Sequence, residues 1–357
     1  MRKASFTNNE AGNFVRELNR RVNEYFLTNG ISKHANTWMV FKIIICFSLY
    51  ISLYAVIMLD IIPPVYLVLI IFLFGLSCAL LGFNVAHDAS HGALFSSRSL
   101  NSIFSYSFEL IGISSYAWHL KHNVVHHNNP NLQYGDFDIE GGPILRFSPA
   151  DKKQPYHRYQ HIYAPFVYLL LSLAMLFFLD FKVVFGTKRE EIDGKKHPLK
   201  QKIIFIVAKI LYLFLMLGLP IILLHYPWWQ ILLGFFLMHF TLSILLSIIL
   251  LPAHVFELTE YPVREADGRI RGGWSLYQMR TTMDYSRKSK LCNFLFGGLN
   301  INVVHHLFPK ICHVHLMPVS DILQATADEY GITYHTKSIW AAMRSHFGEL
   351  RKLGRQQ

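Results

Sequence analysis

The apolar positions of this chain come in long blocks. Four of them, roughly residues 38–59, 64–86, 203–224 and 228–251, are continuous enough to cross a bilayer as helices, since about 20 apolar residues span the hydrocarbon core. A fifth block, 164–181, sits at the lower limit of that length. The polar positions between blocks are unevenly charged. The short connections LDIIPP (59–64) and LHYPW (224–228) carry no Lys or Arg, whereas 182–209 holds Lys182, Lys188, Arg189, Lys195, Lys196, Lys200, Lys202 and Lys209. Short basic loops stay on the cytoplasmic side. The two short connections are therefore read as external, and the four blocks pair as two hairpins. A crossing by 164–181 would put the basic stretch outside and the region after 252 on the opposite side from His87. That block is predicted to be interfacial or re-entrant. The run 101–118 is read the same way, because Glu109 falls in its middle and a lone carboxylate is expensive inside the bilayer.

Ahead of the first block, Phe14, Leu18, Val22, Tyr25 and Phe26 recur at helical spacing among charged residues. This predicts an amphipathic helix, lying on the membrane surface or packed on the body of the protein. It is too charged for the apolar core of a signal peptide. The predicted organisation is an N-terminal amphipathic or interfacial segment, 1–37, followed by one membrane domain, 38–357. The fold class is an all-α integral membrane protein. It has four transmembrane helices in two hairpins, interfacial helices, and a C-terminal cytoplasmic cap over 252–357.

Composition agrees. Charged residues make up 16% of the chain, well below the ~25% of soluble proteins. The net charge of +11 gathers beside the apolar blocks, which suits anionic lipid at a cytoplasmic face rather than nucleic acid. Cys46, Cys78, Cys292 and Cys312 form no CxxC pair. Nothing in their spacing suggests a disulfide framework, a zinc finger or an iron–sulfur cluster.

The chemistry lies in the histidines. His87-Asp-Ala-Ser-His91, His122-Asn-Val-Val-His126-His127 and Asn302-Val-Val-His305-His306 all fall on one predicted side of the membrane. Residues four apart share a helix face, so each pair can grip one ion. His254 ends the fourth block. A single HxxxH is usually an ordinary polar pair; three clusters on one face are not. One zinc needs four ligands, whereas eight imidazoles, with Asn302 reaching in through water, match two ions of higher coordination number. Two redox ions beside a membrane point to oxygen chemistry on a lipid. Asp88 is predicted to orient a neighbouring imidazole. Asp136, Asp138 and Glu140 are read either as partners of the histidines or as turn residues. His313 and His315 are assigned no ion, and His119, His157 and His161 are read as interfacial. Arg146, Lys152, Lys153 and Arg158 are weighed as phosphate contacts against a solvated basic face, which is preferred.

At these residues the chain resembles the integral-membrane fatty acid desaturases, whose boxes read HxxxH, HxxxHH and (H/Q)xxHH. The stretches HDASHGALF, KHNVVHHNNPN, GDFDIEGGPILRFSP, YQHIYAPFVY, GGLNINVVHHLFPKICHVH and EYGITYHTKSIW extend the likeness over about residues 14–353. They look like the bacterial acyl-CoA or linoleoyl-CoA-like branch, which is related to front-end desaturases. The resemblance implies two iron ions that use O2 and two electrons to place a cis double bond in a fatty acyl chain carried on CoA or lipid. It implies iron ligands at His87, His91, His122, His126, His127, His254, His305 and His306. Asn302 stands where the family has His or Gln. Val304, Tyr277, Asp284 and Leu250 also depart from the family's pattern. Neither a haem-binding HPGG nor a ferredoxin cysteine spacing is present, so a separate ferredoxin or cytochrome b5 is implied as electron donor. The implied location is a bacterial inner membrane with the metal site at its cytoplasmic face. The alternative is a histidine-box hydroxylase or ketolase acting on a lipid or carotenoid. The NYxEHYG-like motif expected of alkane hydroxylases is absent. A transporter would hold its ligands at mid-membrane, not at helix ends. Because each methylene is worth only ~1 kcal/mol, a rigid apolar channel is expected to set the position of the double bond.

Overall fold

The computed structural model describes residues 5–6, 12–133, 135–136, 138–139, 141–186 and 197–356. Glu140, Lys188, Arg189, Lys195 and Lys196 lie outside them. Four helices are long and apolar enough to cross a membrane: Thr37–Leu59, Pro64–Ser90, Leu199–Leu223 and Trp228–His254. They are the four predicted blocks. The second and fourth run several residues further than hydropathy suggested, and those extra residues carry His87 and His254. Trp38, Ile51, Val68, Val207, Ile210 and Leu233 point outward, the apolar belt that lipid requires.

The two short connections meet at one end of the bundle. Tyr226 Oη donates to Asp60 Oδ1 at 2.8 Å, and His225 Nδ1 lies 3.0 Å from Asp60 Oδ2. This contact fixes both hairpins the same way up and puts His87 and His254 together at the opposite end. Packing between the second and fourth spans is close because Gly75 lacks a side chain. A Cβ there would lie 2.7 Å from Met238 O and from Thr241 Cβ. Small residues at such crossings let membrane helices approach through their backbones.

The fifth block forms a broken helix. Pro155–Tyr168 and Leu171–Phe185 are bent by 76° at the break. Its first half packs on the tail helix Ile339–Arg355, and its end packs on Phe205 near the start of the third span. Both ends therefore stay on the side of His87, as a re-entrant segment requires. Backbone groups at the bend need partners where water is absent, and the fourth span provides them. Ser172 N donates to Ser243 Oγ at 2.9 Å, and Ser172 Oγ lies 2.8 Å from His239 Nδ1. Tyr212 Oη closes the network, 3.0 Å from His239 Nε2. Further along, Asp180 pairs with Lys209 at 2.7 Å. The run 101–118 is likewise broken, into short helical pieces in which Glu109 accepts from Ser115 N and Oγ.

The chain after His254 forms a cap of short helices and one two-residue parallel pair, Asp284–Tyr285 with Thr336–Lys337. The N-terminal helix Gly12–Thr28 packs on the cap. Phe14, Leu18, Val22 and Phe26 are buried against the helix Leu316–Glu329. Its apolar face is thus spent on protein, so the packed placement applies rather than the membrane-surface one. Arg146 is buried as well. Its guanidinium donates to Leu353 O and Gln356 O at 2.7 and 3.0 Å, capping the tail helix. It is not free to meet a phosphate.

Gly75→Val is expected to destabilise the bundle by roughly 1–3 kcal/mol through overpacking. Thermal unfolding of the detergent-solubilised protein checks this, and an unchanged melting temperature would show that the two spans do not depend on this close approach.

Candidate metal centre

Each histidine cluster arrives on a different element. His87 and His91 follow a wide, π-helical turn at Gly82–Ala86 that ends the second span. The turn is crossed by another backbone: Gly297, at φ +58°, sits where a Cβ would meet Phe83 O at 2.3 Å. His122 lies in a second π-helical stretch, His119–Val125, and His126 and His127 open the tighter turn after it. Such widened turns recur at functional sites because they re-aim side chains. His305 and His306 sit on the short helix Asn302–Leu307. Asp284 Oδ1 holds the start of that helix by accepting from Val303 N at 2.7 Å.

The rings converge nitrogen to nitrogen. His87 Nε2 is 3.3 Å from His122 Nε2. His127 Nε2 is 3.2 Å from His122 Nε2 and 3.1 Å from His305 Nε2. With His91, the donor atoms of His87, His122 and His305 all lie within 4.8 Å of one another. A second group, His126, His254 and His306, meets the same limit. In it His126 Nε2 and His254 Nε2 are 3.2 Å apart, and the Asn302 side-chain amide is 2.9 Å from His254 Nε2. All of these side chains are buried except His91, which is half-buried.

Three of the outer ring nitrogens are held by acceptors. His122 Nδ1 faces Asp138 Oδ2 at 3.2 Å, His126 Nδ1 faces Asp136 Oδ2 at 2.9 Å, and His306 Nδ1 faces Gln278 Oε1 at 2.9 Å. A carboxylate or amide oxygen only accepts, so Nδ1 carries the hydrogen and Nε2 is left as a bare lone pair. Burial and mutual repulsion push His91, His127, His305 and His306 well below the usual imidazole range. Burial takes His122 down to about 3, although Asp138 opposes it. His126 is the exception: burial opposes its charged form, but Asp136 and Asp138 outweigh that and raise its pKa.

Ring nitrogens converge at 3.1–3.3 Å from several elements at once, and where Nδ1 carries the hydrogen, as in His122, the converging Nε2 is a lone pair that a cation between the rings would satisfy. Ligands sharing one transition-metal ion stand about 3 Å apart, given metal–nitrogen bonds of about 2.1 Å. Among the described residues, His91 Nε2 and His306 Nε2 are buried with no partner, as metal-seeking atoms would be. The donor set therefore fits metal ions, and imidazole suits iron.

Asp88, expected to orient an imidazole, accepts from His313 Nδ1 at 2.8 Å and lies 3.7 Å from His87 Nδ1. His315 binds His34 O and His157 binds Pro143 O. Two departures from the expected pattern prove to be anchors. Tyr277 Oη donates to Pro130 O at 2.6 Å, and Asp284 holds the third box as described. Gln278 was missed. It joins two boxes, since its Nε2 also donates to His127 O at 3.0 Å. Its only signal in the sequence is an amide among the apolar residues of LYQMRTT.

Fold and site define a class: multi-spanning helical membrane proteins with a buried histidine centre at one end of the bundle. Residues 63–338 match the fatty acid desaturase family model. The sn-1 linoleoyl-lipid 6-desaturase of Synechocystis sp. is 31% identical over 347 residues, covering 96% of both chains. The enzyme of the same description from Arthrospira platensis is 31% identical over 95% of this chain and 92% of its own. The acyl-lipid (8-3)-desaturase of Physcomitrium patens is 30% identical over 97% of this chain and 72% of its own. The chain belongs to the fatty acid desaturase family. It is an oxidoreductase that desaturates fatty acyl chains.

Asp136→Asn keeps the shape beside His126 but weakens the acceptor. Metal affinity is expected to fall roughly 10–100-fold, measured as bound metal against a graded chelator series. Unchanged affinity would show that the carboxylate does not support the ring.

Proposed function

We propose that the centre holds two iron ions. His87, His91, His122, His127 and His305 would surround one, and His126, His254 and His306 the other, with the Asn302 amide beside the second. The observation that carries this reading is the convergence of histidine ligand atoms in two groups, with Nε2 atoms 3.1–3.2 Å apart. Bound there, the irons supply the redox chemistry: with O2, two electrons and two protons, adjacent methylenes lose two hydrogens, giving a cis double bond and two waters.

This chain's residues do the remaining work. Asp136, Asp138 and Gln278 fix which ring nitrogen carries the hydrogen. Burial keeps bulk water from the centre. Trp118 lies against His122, with ring centroids 4.7 Å apart, and keeps that flank apolar. A cavity of about 570 Å³ opens beside His91 and is lined by Arg98, Asn101, Tyr106, Tyr116 and Lys310. His91 is the half-buried member of the set, so we read this cavity as the route by which the acyl group reaches the centre. Its mixed cationic and hydroxyl lining suits a polar lipid head.

The acyl carrier is read as a lipid and the bond as placed at position 6 of a linoleoyl chain, in line with the descriptions of the Synechocystis and Arthrospira proteins. Residues 1–37 act as an N-terminal segment to a single domain, 38–357. The centre faces the cytoplasm from a bacterial inner membrane, where a separate ferredoxin or cytochrome b5 delivers electrons to the basic face.

Cells expressing the chain and fed linoleate are expected to accumulate an 18-carbon acyl lipid with a new double bond at position 6. Gas chromatography–mass spectrometry with derivatives that locate double bonds reads this directly. His126→Ala and His305→Ala should each abolish the product and lower bound iron from about two per chain. Full activity in either variant would sink the ligand assignment, and a hydroxylated product would move the chemistry to oxygen insertion.

A further inference from the structure

We propose that Lys42, in the first span, is a positioning residue for the metal centre, acting through His313 and Asp88 on His87. The inference rests on the reading of His87 as a metal ligand. Lys42 touches no histidine of the centre. It is 2% exposed, and it stands on the buried face of the span beside the apolar Met39, Ile43 and Cys46. A lysine inside a membrane segment is costly unless paired, so its retention calls for a partner.

The partner is His313. Lys42 Nζ lies 3.0 Å from His313 Nε2, and 4.6 Å from the centre of the Phe294 ring. An ammonium has donors only. His313 Nε2 must therefore accept, and the ring's hydrogen is forced onto Nδ1. That hydrogen meets Asp88 Oδ2 at 2.8 Å, and the backbone N–H of His313 meets the same oxygen at 2.9 Å. With Oδ2 taken twice, Oδ1 is the oxygen turned to His87 Nδ1, 3.7 Å away. His87 Nδ1 has no nearer partner in the protein, while its Nε2 faces the centre.

Lys42 and Asp88 hold the His313 ring from its two nitrogens, and both favour the hydrogen on Nδ1. The ring and the backbone N–H of His313 give Asp88 Oδ2 two donors, and Asp88 presents its other oxygen to the outer edge of His87. Lysine and aspartate also balance each other's charge in a site closed to water. The chain joins residues 271 apart in sequence and ties the first span and the cap to the first histidine box. Without the ammonium, His313 Nε2 loses its donor, the ring is held from one side alone, and the Asp88 charge loses its buried counter-ion.

The test uses the full-length protein in detergent, metal-free and then titrated with cobalt(II) or iron(II). Lys42→Met removes the donor but keeps the length and apolar stem. It is expected to bind metal roughly tenfold more weakly and to shift the visible ligand-field band of the cobalt form. Thermal unfolding of the metal-free protein should stay near wild type. Lys42→Arg, which still donates, should restore most of the affinity and the band. Asp88→Asn should match the methionine variant, and the double variant should be no weaker than either single, as expected for groups acting in one chain. If Lys42→Met does not assemble, Lys42→Thr, too short to reach His313, carries the same comparison. Wild-type affinity and spectrum in the uncharged variant would overturn the proposal, as would additive losses in the double variant. Failure of the wild-type protein to bind metal would instead overturn the centre, and this inference with it.

Discussion

The structure depends on keeping many imidazoles neutral with their lone pairs aimed at one another. Left alone, such rings would rotate away or take up protons. Three of them are held on the outer nitrogen, and all but the half-buried His91 are shut away from water. Asp136, Asp138 and Gln278 do the first for His126, His122 and His306. The cap does the second. Neither would suffice without the other, because a solvated ring keeps both its rotamers and its charge.

This demand explains the placing of the larger elements. The helices that bring His87 and His254 must overshoot the bilayer on the same side, and the contacts of Asp60 with Tyr226 and His225 set that polarity from the far end. Two of the boxes lie in or just after widened turns, where the backbone departs from regular helical phase. The third is too short to be stable alone and is held by Asp284, Gln278 and the cap. Irregular or short backbone elements thus carry all three boxes, although widened turns also occur away from the site, at Met175–Leu179 and Phe214–Gly218.

The spans and the boxes were legible because their signals are local: hydropathy over one block, histidines four residues apart, charge on adjoining loops. His254 was legible as a candidate from its place at the end of the fourth block, and the family resemblance added its role as a ligand. Gln278 and Lys42 were not legible. Each acts on a partner brought near by folding, 28 residues away in one case and 271 in the other, and no periodicity links them. Arg146 failed in the opposite sense. Its position in a basic loop suggested a solvated surface, whereas a folded guanidinium can satisfy several carbonyls at once and so be buried at a helix end. The seat of the N-terminal helix was undecided for a similar reason: an amphipathic stripe fits a bilayer surface and a protein groove equally well.

The bend in the broken helix bears on how the protein is made. Its Ser172 backbone is satisfied by Ser243, a residue synthesised 71 positions later. Until the fourth span emerges from the ribosome and inserts, the unsatisfied bend has no partner at membrane depth. The bend and the fourth span therefore complete one another, and the bend's backbone is satisfied only once that later span is in place.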